Sequence, residues 1–152
     1  MRVLGIDPGS RRTGWGVVQL EGTKLIPIGA GTIRVPEKLA LAERLNLIHR
    51  GLTQVVDENR PEAIAVEEIF FAKYPNAALK LGHARGVALL VAAQSRLEVH
   101  EYPPAVVKRT VVGRGAADKT QVGRLVAALL GLKTAPEEDA ADALAVAITH
   151  VQ

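Results

Sequence analysis

Val3-Leu4-Gly5-Ile6-Asp7-Pro8-Gly9-Ser10 decides how the chain is read: it is an apolar run that ends on one carboxylate. No charge interrupts Val3 to Ile6 and a Pro-Gly pair stops it, which predicts a short strand buried on both faces. Asp7 then stands at the strand's end, with Arg11 and Arg12 just beyond. In open α/β sheets that is the crevice off the strand tips where ligands bind. Taken alone, Asp7 is equally a cap on a Pro-Gly turn, so its meaning depends on what joins it.

At 152 residues the chain is the size of one domain, and residues 1–152 are read as a single unit with one core and one site. Apolar residues make up 48% of the sequence but aromatics only 3%, so the core must be built from Ala, Val, Leu and Ile. The net charge of +3 is a mild lean toward anionic partners. Its distribution says more, because Ala72 to Arg124 holds nine basic residues and three acids, a net of +6, and the rest of the chain is acidic. There is no cysteine, which excludes disulfides and thiolate metal sites. His49, His83, His100 and His150 do not pair at ligand spacing, which argues against zinc. No apolar run approaches the roughly 20 residues that cross a bilayer, and the N-terminus lacks the order of a signal peptide. The chain is therefore read as soluble and cytoplasmic.

Residues 13–20 and 24–35 read as two further strands joined by a tight Glu21-Gly22 turn, giving a three-stranded antiparallel meander. Trp15 within it is read as a packing residue. A helix is expected over 37–59, a buried strand over 63–67, a helix from 75 or 76 to 96 and a fifth strand over 97–102. Strands four and five, joined through that helix, make a parallel crossover. A short helix to Val112, a loop over 113–117, a helix capped by Asp118 and ending at Leu130, and a last helix over 136–151 complete the chain. The fold class is thus α/β, a five-stranded mixed sheet with helices on both faces.

The fourth strand, like the first, ends on acid, at Glu67-Glu68. The period of two lets only one of them face a site, and the small-residue face Ala63, Ala65, Glu67 favours Glu67. Asp139 and Asp142, three apart, share one face of the last helix. The helix dipole excuses acids in the first turn, but Asp142 lies among Ala140, Ala141, Ala143 and Leu144, where a charge should be paired or bound to metal. Carboxylates gathered at one spot repel each other, and a divalent cation removes that penalty. Oxygen-only donors select Mg²⁺ or Mn²⁺, and such a site suits two ions acting in an in-line displacement at phosphorus. Beside a basic stretch, the matching substrate is a nucleic-acid phosphodiester. Lys119 follows a Gly-rich loop and is either a phosphate contact or a solvated surface lysine. Phe70 and Phe71 precede Lys73 in an expected loop and suit stacking on unpaired bases, with one of the two serving the core. Ala78, Gly82 and Gly86 form a smooth stripe for close approach, either to the chain's own sheet or to another helix.

Together these segments resemble the RuvC-type Holliday junction resolvases over nearly the whole chain. The resemblance is carried by residues 5–10, by Glu67 within AIAVEEIFFAK, by ALKLGHARGVA over 78–88, by VKRTVVG over 107–113 and by DAADALA over 139–145. It implies a ribonuclease H-like fold and a homodimer, paired in part through the 75–96 helix, that nicks opposed strands of a four-way DNA junction symmetrically. It implies Asp7, Glu67, Asp139 and Asp142 as metal-binding catalytic carboxylates, Lys108 and Lys119 as phosphate-binding or activating groups, and Phe70 as a wedge at the exchange point. Further DNA contacts are expected at Phe71, Lys73, Lys80, Arg85 and Arg114, and a branch-migration motor is expected as partner. Two other readings stand beside this one. An actin-like ATPase also opens with a strand, an acid and a Gly-rich hairpin but needs a second copy of the fold to close over nucleotide. A junction-binding module without catalysis would bind without cutting.

Overall fold

The computed structural model describes residues 1–68, 75–113 and 119–152, and of Lys119 and Thr120 only their place in a helix. The elements run β1 (Arg2–Asp7), β2 (Arg12–Glu21), β3 (Lys24–Arg34), α1 (Leu41–Asn59), β4 (Ala63–Glu67), α2 (Pro75–Gln94), β5 (Glu98–Tyr102), α3 (Pro104–Val112), α4 (Lys119–Leu130) and α5 (Glu138–Val151). The strands form one sheet in the order β3-β2-β1-β4-β5. β1, β2 and β3 are antiparallel neighbours, and β4 lies parallel to both β1 and β5. This is the five-stranded mixed sheet, with helices on both faces, expected from the strand pattern, and its arrangement is the ribonuclease H-like one that the resemblance implies.

Period-two alternation divides the core into two halves. Leu4, Ile6, Val17, Ile64 and Val66 point to the side covered by α1 and α2, where Ile48, Leu52, Ala88 and Val91 complete a continuous apolar layer. Val3, Val18 and Ala65 point the other way, onto α3, α4 and α5. Trp15 packs at the margin of the first layer, with its indole over Gly31. The two central strands have all but their end residues buried, which their uninterrupted apolar sequence requires.

Two helix starts fall later than expected. Pro36 opens a turn closed by the Leu39 amide on the Pro36 carbonyl at 3.3 Å, Glu37 pairs with Arg11, and Ala40 is extended, so α1 begins at Leu41. Glu137 is extended in the same way, and α5 begins at Glu138. At the other end of α2, the amide of Leu97 folds back to the Ala92 carbonyl at 2.9 Å and Arg96 takes a positive φ, which stops the helix at Gln94. The expected cap Asp118 lies outside the described residues. No described helix is long and apolar enough to cross a membrane.

Candidate active site

Asp7 and Glu67 are the last residues of adjacent parallel strands, and the register Ile6 to Val66 sets them side by side at the sheet's carboxyl edge. Both belong to the set of alternate residues that faces α5, with Val3 and Ala65 beneath them. Glu67, and not Glu68, lines the cleft there. Glu68 instead continues the sheet, its amide donating to the Tyr102 carbonyl at 2.8 Å.

The remaining acids arrive on α5, whose seat is made by glycines. A β-carbon added at Gly5 would run into the Ala143 carbonyl, and one at Gly14 into the Asp139 carbonyl. At Gly16 it would run into the Leu144 side chain. The helix backbone therefore rests on the strands themselves, and its first turn lies over the tips of β1 and β2. Ten of its fourteen residues are buried, while Asp139 and Asp142 remain half-buried on the open side. Asp7, Glu67, Asp139 and Asp142 thus border one cleft of about 440 Å³. Val107 and Val111 of α3, Val122 of α4 and Ala145 supply its apolar wall, and the exposed Lys108 stands on its rim.

Arg12 and Glu138 also border this cleft and were not singled out as site residues from the sequence. Arg12 Nε lies 3.3 Å from Asp139 Oδ2, and its neighbour across the hairpin, Arg34, pairs with Glu137. Two arginines at the ends of β2 and β3 therefore hold the start of α5. The sequence signal was Arg12's place at the head of the second strand, directly after the Asp7 turn.

Among the described residues no three histidine or acidic side chains converge on one ligating point. Four carboxylates facing one cleft repel each other, and Asp139 has the Arg12 guanidinium beside it. The donor set itself is all carboxylate oxygen, the chemistry of a hard divalent cation. Beside Glu67, its register partner Tyr102 bonds His150 Nδ1 through the phenol at 2.5 Å, and His100 lies against His150 with ring centres 4.2 Å apart. Burial raises the Tyr102 phenol above its ordinary value and, together with His100, lowers the His150 imidazole.

Other expected contacts are placed differently. Arg85, expected on DNA, is buried under the sheet face opposite the cleft, because both ends of its guanidinium are satisfied inside the protein. Lys80 is exposed, but on α2 and hence also across the sheet from the carboxylates. Phe70, Phe71, Lys73 and Arg114 lie outside the described residues, as does the side chain of Lys119, although Lys119 is the first residue of α4. On α2, Gly82 and Gly86 have open space where a β-carbon would go, so this stripe does not pack on the chain's own sheet.

A family model described as crossover junction endodeoxyribonuclease RuvC matches residues 3–150. The protein of that name from Azorhizobium caulinodans is 51% identical over 150 residues, covering 99% of this chain and 89% of the relative. The one from Rhodopseudomonas palustris is 55% identical over 150 residues, covering 99% and 86%. Among solved structures, Thermus thermophilus RuvC in complex with Holliday junction substrate superposes with a TM-score of 0.93 at 39% identity, covering 99% of this chain and 93% of that one.

Proposed function

The chain belongs to the RuvC family of crossover junction endodeoxyribonucleases, and from that premise we propose that it resolves four-way DNA junctions, in recombination and repair, by hydrolysis at the cleft beside α5. The observation that carries this reading is the meeting of Asp7, Glu67, Asp139 and Asp142, from three distant segments, around one cleft with Lys108 on its rim. Asp7, Glu67, Asp139 and Asp142 would hold two divalent cations, Mg²⁺ or Mn²⁺. When bound, the ions supply neutralisation of the carboxylates and stabilise charge on the attacking and leaving oxygens. The chain's own residues do the rest. Lys108 binds the scissile phosphodiester by charge, with Lys119 at the start of α4 as a second cation. The valine wall of α3 and α4 keeps part of the cleft dry, which strengthens each charge interaction inside it.

Paired nicks need two sites related by symmetry. Leu79, Leu89 and Leu90 are exposed on α2, flanking the open stripe of Gly82 and Gly86, and a second copy of the chain seated there buries apolar surface and lets backbones approach closely. A two-fold dimer presents two identical cuts to a junction of matching symmetry. A branch-migration motor is the partner that the family relationship adds.

The test is cleavage of a synthetic four-way junction against linear duplex of the same sequence, with Mg²⁺ and with a chelator. Paired nicks in the junction alone, lost on chelation, are expected. Asp7→Asn should lower the rate by on the order of 10³-fold or more while leaving junction binding intact, since it removes one member of a constellation that acts as a unit. Cutting at full rate by Asp7→Asn would overturn the assignment.

A further inference from the structure

The guanidinium of Arg85 is an unusual tenant of the interior, since arginine is rarely buried unless its donors are met. Its side chain is 10% exposed. Nη1 donates to the backbone carbonyl of Glu67 at 2.7 Å, and Nη2 to the carboxylate of Glu101 at 2.6 Å. Glu67 O is the last carbonyl of β4, and Glu101 stands on the neighbouring strand β5 on the side of Val99, facing α2. Arg85 therefore reaches from α2, on the face of the sheet opposite the cleft, and ties together the tips of β4 and β5. The Glu68 amide closes the other side of the same peptide group on the Tyr102 carbonyl at 2.8 Å. With the amide and the carbonyl of the 67–68 peptide both fixed, the strand end is locked, and with it the direction in which the Glu67 side chain leaves the backbone.

We propose that Arg85 is a positioning residue for junction cleavage, which aims the Glu67 carboxylate into the cleft by holding the Glu67 carbonyl from behind the sheet. The inference rests on Glu67 being a metal-binding carboxylate, as argued above. Gly82 and Gly86 face outward on the same turns that point Arg85 inward. A lysine does not reproduce this group, because its donors radiate from one nitrogen whereas the guanidinium spans its two acceptors with two nitrogens of a rigid plane.

The experiment compares Arg85→Lys, Glu67→Gln and the double variant with the unaltered protein in three measurements. These are the single-turnover cleavage rate at saturating junction, junction affinity without metal, and Mn²⁺ affinity by calorimetry without DNA. Arg85→Lys should lower the cleavage rate by about 10- to 100-fold, the usual effect of losing a group that orients a ligand. It should weaken Mn²⁺ and leave junction affinity unchanged. Combined with Glu67→Gln it should add nothing further, because the carboxylate it aims is already gone. An unchanged cleavage rate in Arg85→Lys, or a loss confined to junction affinity as a DNA contact would give, overturns the proposal. Full activity of Glu67→Gln would instead sink the reading of the site itself, so the two failures are told apart. If Arg85→Lys does not fold, Glu101→Ala removes the half-exposed partner of the same guanidinium: a lower rate at unchanged junction affinity supports the proposal, and an unchanged rate overturns it.

Discussion

The four acids of the cleft are placed by three local devices. Asp7 and Glu67 owe their places to strand ends, Asp142 to the i, i+3 relation with Asp139, and Asp139 itself to an ion pair with Arg12 at 3.3 Å. That last pair carries a consequence for metal binding. A cation that takes Asp139 must compete with the guanidinium, and removing Arg12 also removes a nearby positive charge, so both effects have the same sign. The Arg12 side chain is 60% exposed, and a pair of that kind is worth up to about 1 kcal/mol. Arg12→Gln should therefore raise Mn²⁺ affinity by on the order of two- to fivefold, read by calorimetry without DNA. A weaker affinity would show that Arg12 holds Asp139 in a ligating position and does not compete for it.

Among the elements α5 decides most, because it delivers two carboxylates and closes one half of the core. Its position is set by the absence of side chains beneath it. Gly14→Ala places a methyl group against the Asp139 carbonyl, where only backbone can give way. Overpacking of that kind costs about 1 to 3 kcal/mol. Chemical denaturation should show the lower midpoint, and cleavage per folded molecule should fall further, since the helix lifts at the turn that carries Asp139. The sequence around these glycines reads as an ordinary strand and turn; nothing local reveals that Gly5, Gly14 and Gly16 meet one helix more than a hundred residues away. The acids were legible because strand ends and helical spacing are local properties. The seat was not, because it exists only between elements.

For the whole molecule, the proposed dimer has to bring two clefts to one junction. The sheet separates the carboxylate cleft, on the α5 side, from the exposed apolar face of α2 on the other. Leu90, half exposed, lies about one turn beyond Gly86 on that outer face. Leu90→Glu puts a charge where a second copy would bury apolar surface, which is costly. Sedimentation should find the unaltered protein dimeric and this variant monomeric, with paired nicks replaced by slow single ones. A variant that stays dimeric would move the pairing surface elsewhere. Gly82 and Gly86 illustrate the limit of sequence patterns here: a small-residue stripe allows packing on the chain's own sheet or on a partner, and only the open space above both glycines decides against the first.

The sequence by itself determined the succession of strands and helices and the acids on which β1 and β4 end. Uninterrupted apolar runs, Pro-Gly stops and three-residue spacing act over short distances, and they brought Asp7, Glu67, Asp139 and Asp142 into view. Tertiary structure decided what those residues face. It turned Arg85 inward to brace a strand tip and set Arg12 against Asp139. These outcomes depend on contacts between segments far apart in the chain, where the partner that each charged group finds, and not periodicity, sets the direction of its side chain.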